Sequence, residues 1–435
     1  MCLLKMHSHG YLTLIWFIIH LSVVKSQAIK AIPADSLVES IGVNTHWLNG
    51  DVYTKNYTEL KAKIGEAGIR YFRDGTFKAT YIRANDLYES FGIRVNILVG
   101  RGATDWRPPL IPSNIDAELY EIKTQAINAT VSLEAPNEYD ASHGSDPNWI
   151  ETIKNYSSAL YIKAKADDML KHLPIIGPSL TSIQSYQTVG DWDQYIDYAN
   201  IHLYQGNRYP GTNGWGDHGH GSITWYMNFY ARYQSPSGKC IQATEGGYHN
   251  IISSYGLSEE AEGKYAGRMF CEFFRRGIYR TYWYEFVDEA QPGPEGAFGL
   301  LRNNVTEKPA FRSVKNLISI LSDKGPDFEL NSLNYVFDGS INDMRQILFQ
   351  KRNGEFYLVF WLEVSSWDPQ NSTDLYPPTQ EIVLTLLNNH NITNSTLYAF
   401  NNNADVNTFL LPIIDNQVTL NATDKISIIK LSTRD

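Results

Sequence analysis

At 435 residues the chain is longer than one small hydrophobic core can organise, which points to a large barrel or α/β domain with a smaller companion. With 43% hydrophobic and only 19% charged residues it can bury ample apolar surface, so intrinsic disorder is excluded. A net charge of −10, with no cluster of Lys and Arg, excludes a nucleic-acid binder, which has to neutralise phosphates.

Residues 1–26 read as a secretory signal: Lys5, an apolar stretch from Tyr11 to Val24, and a cleavage site at Val24-Lys25-Ser26. The stretch is shorter than the roughly 20 residues needed to span a bilayer, so no membrane anchor is expected after cleavage. Asn-x-Ser/Thr sequons at Asn56, Asn128, Asn155, Asn304, Asn371, Asn391, Asn394 and Asn421 predict N-glycans in the same compartment.

From residue 27 to 322, strand-like runs alternate with helical patterns. The runs are Ser40 to His46, Ile69 to Asp74, Val95 to Val99, Val131 to Glu138, Ile175 to Leu180, Ile201 to Tyr204, Ile241 to Glu245 and Tyr282 to Phe286. Eight β/α units predict a parallel (β/α)8 TIM barrel, with a doubly wound open sheet as the competing architecture. The segment from Gln27 to Val38 is expected to add a strand to the barrel. Ser258 can cap a helix with Glu259, Glu260 and Glu262 in its first turn and Gly277 beyond its end. Pro309 starts another, with Phe311, Val314, Leu317, Ile318 and Leu321 on one face. From 323 to 435 short runs separated by Asn-, Asp- and Pro-rich turns predict an all-β sandwich domain. After signal removal Cys240 and Cys271 remain, compatible with two buried thiols or with a disulfide. Strand start and following helix end share the bottom face of a barrel, so a bridge between them is expected.

Two of the strand runs end in glutamates, Glu138 and Glu245, and a barrel gathers its strand ends on one face. A carboxyl pair of that kind is what glycosidic hydrolysis uses, one to protonate the leaving oxygen and one to attack or to activate water. Asn137-Glu138, His202-Leu-Tyr204, Thr244-Glu245-Gly246 and Trp283 follow one another in order. On these residues the chain resembles clan A of the glycoside hydrolases over about residues 40–323. Tyr139 stands where many clan members have proline. The resemblance implies a retaining β-glycosidase acting on a polysaccharide, oligosaccharide or glycoconjugate, with Glu138 as acid/base, Glu245 as nucleophile and Trp283 as a sugar platform. Glu138 should have a pKa raised by burial and by Glu245. Tyr204 is a candidate donor to Glu245, Asn137 to a sugar hydroxyl, Arg73 a source of positive charge, and His202 a substrate or neighbouring contact.

The rival reading, an inactive carbohydrate-binding barrel, predicts loss of a carboxylate, and both are present. Asp217-His218-Gly219-His220 offers no third fixed ligand and predicts no metal site. No cofactor motif occurs, so neither a cofactor nor a metal is expected. Glu134, Asp74, Glu285 and Asp288 read as ion-pair or hydrogen-bond partners.

Overall fold

In a computed structural model of the chain, residues 28–48, 50–100, 110–144, 146–387 and 391–433 are described. The expected signal segment lies outside them.

Eight parallel strands form the barrel: β1 (Ile41–Asn44), β2 (Tyr71–Gly75), β3 (Arg94–Leu98), β4 (Thr130–Glu134), β5 (Ile175–Ile176), β6 (Ala199–His202), β7 (Ile241–Gly246) and β8 (Ile278–Trp283). They are hydrogen-bonded in the order β5-β4-β3-β2-β1-β8-β7-β6. A parallel bridge between Ile176 and Tyr198 closes the ring, with the Gly177 N–H donating to the Tyr198 carbonyl at 2.9 Å. Period-two alternation explains the strand sequences. Val43, Phe72, Val95, Leu133 and Ile201 belong to the main apolar core. Their neighbours Asn44, Arg73, Asn96, Glu134 and Asn200 are buried polar residues. Bonds between non-adjacent strands, such as Asn200 Nδ2 to Glu134 Oε1 at 3.1 Å, place this polar set inside the ring.

The helices form as their sequences predict. Ser258 caps Glu259–Arg275 by accepting from the Ala261 N–H, and Gly277 beyond the end takes φ 87°. Pro309–Leu321 buries Phe311, Val314, Leu317, Ile318 and Leu321. Among the described residues no helix is long and apolar enough to cross a membrane.

The C-terminal region is a sandwich of two antiparallel sheets, one of three strands and one of five, the second extended to six by an N-terminal strand. Strand Phe356–Leu362 is buried throughout because it serves two cores. Leu358, Phe360 and Leu362 meet Ile382, Leu384 and Leu420 inside the sandwich, while Tyr357, Val359 and Trp361 join the barrel core. The N-terminal segment departs from expectation: Ile32–Pro33 pairs in parallel with Met344–Gln350, and so extends the sandwich rather than the barrel.

The cysteine expectation is also corrected. Cys271 is a free, fully buried thiol, its pKa pushed up by burial, so no Cys240–Cys271 bridge forms. Cys271 sits a full turn before the helix end, and a helical Cβ tilts toward the N-terminus, away from the bottom face where β7 begins.

Candidate active site

Beyond β4 the chain runs through Ala135-Pro136-Asn137 to Glu138, which has φ 41° and ψ 45°. A left-handed conformation costs a non-glycine residue roughly 1–2 kcal/mol. It is held by the Glu138 N–H donating to the Ser179 carbonyl at 3.0 Å and by the Asn137–Ser179 bridge.

Thr244 and Glu245 are consecutive in β7, yet both face the barrel axis, which regular alternation forbids. The ladder shifts register here against both neighbours, from Ile201–Ala243 to His202–Glu245 on one side and from Thr281–Ala243 to Trp283–Gly246 on the other. This irregularity re-aims one side chain. The Thr244 hydroxyl donates to Glu134 at 3.0 Å, and Glu245 emerges just above it.

Around Glu245 the donors converge. Arg73 Nη1 donates to Oε1 at 2.8 Å and the Tyr204 hydroxyl to Oε2 at 2.9 Å. Arg73 is itself fixed by two bonds to Glu134, both 2.8 Å, and donates to Asn44 and Asn137. Glu134 thereby serves as the buried anchor of the guanidinium. His202 Nδ1 lies 2.7 Å from Glu138 Oε1 and 3.3 Å from Glu245 Oε2, while its Nε2 is buried without a hydrogen-bond partner. One oxygen of each glutamate and the imidazole nitrogen all lie within 4.8 Å of one another. Asn137 Oδ1 is taken by Arg73, which leaves its amide N–H groups for the cleft.

The protonation pattern differs from expectation at Glu138. Burial pushes its carboxyl up, but the charge and hydrogen bond of His202, with Arg73 behind, outweigh this and hold it below the ordinary value. For His202, burial pushes down while Glu245 and Glu138 push up, and the net direction is up. The two directions favour an ion pair in which the exchangeable proton sits on His202, hydrogen-bonded to an ionised Glu138, rather than on an isolated carboxyl.

The cleft above these groups has a volume of about 390 Å³ and is lined by Asn137, Glu138, Tyr204, Glu245, Tyr248, His249, Tyr284, Glu295 and Phe298 among others. A larger cavity of about 880 Å³ lies at the opposite barrel end, against the sandwich, away from both glutamates.

Six of the residues singled out from sequence, Glu138, Glu245, Asn137, His202, Tyr204 and Arg73, meet in one site. Trp283 does not. It is fully buried, packs against Tyr248 and Phe270, and donates its indole N–H to the Phe298 carbonyl at 3.0 Å. Alternation turns it outward toward the helices, and Tyr284, the next residue, lines the cleft instead. Tyr248, His249, Glu295 and Phe298 come from loops beyond β7 and β8 and carry no sequence motif. Among the described residues, His218 and His220 belong to no cluster of metal-binding side chains; His220 packs between Trp215 and Trp225.

No protein-family model and no curated protein sequence matches the chain. Solved structures do. A family 39 glycoside hydrolase from the gut symbiont Bacteroides cellulosilyticus WH2 superposes with a TM-score of 0.60 at 15% identity, over 92% of this chain and 82% of that one. The GH39 enzyme from Xanthomonas axonopodis pv. citri gives 0.59 at 13%, over 93% and 96%. A monomeric β-xylosidase from Caulobacter crescentus CB15 gives 0.59 at 12%, over 94% and 98%. The chain thus has the barrel-plus-sandwich fold found in these glycoside hydrolases.

Proposed function

We propose that this chain is a retaining β-glycoside hydrolase, with Glu245 as nucleophile and Glu138 as acid/base. The observation that carries this is the carboxylate spacing: oxygens of Glu138 and Glu245 approach within 4.8 Å. Retaining enzymes hold the two groups about 5–5.5 Å apart, whereas inverting ones leave roughly 6.5–9.5 Å for a water. The environments divide the roles. Glu245 receives Arg73 and Tyr204, donors suited to an ionised nucleophile. Glu138 is the more exposed, at 32% against 11% for the side chain of Glu245, and passes the proton it takes from His202 to the glycosidic oxygen. The Asn137 amide is placed to donate to a sugar hydroxyl, and the rings of Tyr284 and Phe298 offer apolar surface to the sugar.

The proposed substrate is a β-linked polysaccharide, oligosaccharide or glycoconjugate. Because one protein sharing the fold is a β-xylosidase, aryl β-xylosides head the panel to assay. Secretion and N-glycosylation belong to the same reading: seven of the eight sequon asparagines are exposed and Asn56 is half-buried. An N-terminus near Gln27 and a mass shift on glycan removal would support it.

The deciding experiment is substitution at each glutamate. Glu245→Ala should abolish hydrolysis and be rescued by azide, giving a glycosyl azide of inverted configuration, because the small anion fits the vacated space. Glu138→Ala should retain glycosylation of substrates with good leaving groups while deglycosylation slows. Full activity in Glu245→Ala, or inverted product from the native enzyme, would overturn the assignment.

A further inference from the structure

A second cluster of acid and imidazole groups lies behind the cleft wall, outside the proposed catalytic set. His46, just beyond β1, directs Nδ1 at Glu289 Oε1, 2.6 Å away, and at Glu285 Oε2, 3.1 Å away. Both glutamates follow β8. The Tyr53 hydroxyl donates to Glu285 Oε2 at 2.9 Å. Glu285 has no exposed surface, and its second oxygen, Oε1, is buried without any hydrogen-bond partner. Leaving a carboxylate oxygen unsatisfied in such a place is costly unless a positive charge faces it.

The charge balance points the same way. Asp74, also buried, feels His46 as its attractive charge and has its oxygens met by the Trp47 N–H, the Gly75 N–H and the Thr45 hydroxyl. Three carboxyl groups therefore surround one imidazole, and among the described ion pairs no lysine or arginine side chain bonds to Glu285 or Asp74.

From this geometry we infer that His46, Glu285 and Glu289 form a binding site for a divalent transition-metal cation of the zinc class. The donor set is one imidazole nitrogen and two carboxylates, which suits zinc; calcium and magnesium prefer oxygen alone. Ligands about 2.0–2.1 Å from a tetrahedral zinc stand roughly 3.3 Å from one another. The His46–Glu285 separation of 3.1 Å already approaches this, and the His46–Glu289 contact of 2.6 Å must open by about 0.7 Å. His46 is 30% exposed, which provides an entry path, and a water can fill the fourth position. The ion would tie the β1 exit to the β8 exit directly behind Tyr284, whose ring meets His46 edge-on at 5.6 Å. The site would brace that wall of the cleft.

The inference does not depend on the proposed hydrolase activity, and its test does not use activity. The full chain, stripped with chelator, is titrated with zinc chloride alone by calorimetry, and bound metal is counted by elemental mass spectrometry after desalting. One equivalent should bind, with a raised melting temperature. Glu289→Gln is nearly isosteric and should weaken binding by at least about tenfold, since even outer-shell changes cost 10–100-fold. Glu245→Gln, which removes a carboxylate of the other His-containing cluster, should leave the affinity unchanged. No zinc binding by the folded wild type, or binding lost in Glu245→Gln but kept in Glu289→Gln, would overturn the inference. Circular dichroism of each variant checks that loss of binding is not loss of fold.

Discussion

His202 illustrates how one side chain can govern another's chemistry. Its Nδ1 stands between two carboxylates while Nε2 is sealed in the core, so whatever proton it exchanges passes on the Nδ1 side. In the pair, the last proton leaves only as pH rises through the raised pKa of His202, above the ordinary 6.5. His202→Gln removes that store and leaves the proton to Glu138 alone. The basic limb of the kcat/KM profile on an unactivated substrate should then move to lower pH, with the acidic limb little changed. An unmoved basic limb would refute this role for His202. The linkage to stability has the same window: His202 contributes below its raised pKa and Glu138 above its lowered one, so the pair stabilises the fold between the two and is lost outside them.

At the scale of elements, the site depends on how closely the exits of β7 and β8 approach. A Cβ on Gly247 would lie 2.4 Å from the Tyr284 carbonyl oxygen, backbone that cannot swing aside. Gly247→Ala should therefore cost about 1–3 kcal/mol of stability by overpacking. It should also spread Glu245 from Tyr284 and lower kcat/KM by on the order of 100-fold, the penalty of a misplacement near 1 Å. Ser258→Ala provides the contrast. It removes the cap of helix Glu259–Arg275, far from the reacting groups, and should cost about 1 kcal/mol with activity intact. Denaturation curves read beside kinetics would separate the two; equal activity losses in both variants would contradict the argument.

The whole molecule is joined by a buried ion pair. Arg268, on the barrel helix Glu259–Arg275, donates to Glu363 of the sandwich at 2.7 Å, and both side chains have no exposed surface. Glu363 also accepts from the Gly211 N–H at 3.0 Å and from the Trp361 indole. Gly211 lies on the loop that leaves β6 through Tyr204, so the sandwich holds a loop that rims the cleft. Glu363→Gln would strand a buried guanidinium, for which the expected loss is about 3–5 kcal/mol. Urea unfolding should show a lower midpoint and activity should fall with it. A change below about 1 kcal/mol would show that the apolar contacts of Tyr357, Val359 and Trp361 suffice to join the domains.

Local pattern by itself determined the number and order of the barrel strands, the sandwich, two helix starts and the two glutamates, because periodicity and strand-end position are properties of neighbouring residues. The predicted runs overshot the paired strands at β4, β5, β6 and β8, since Ala135, Leu180, Leu203 and Phe286 are buried in the exits and apolar character reports burial rather than ladder pairing. What depends on register was decided only in three dimensions: the shift that turns Glu245 inward beside Thr244, and the alternation that sends Trp283 to the helices and Tyr284 to the cleft. Contacts between strands distant in sequence, such as Arg73 with Glu134 or His46 with Glu289, join residues 61 and 243 positions apart. The same holds for the unbridged Cys271 and for Ile32–Pro33, whose partners were set by which surfaces the closed barrel presents and not by any local preference of the chain.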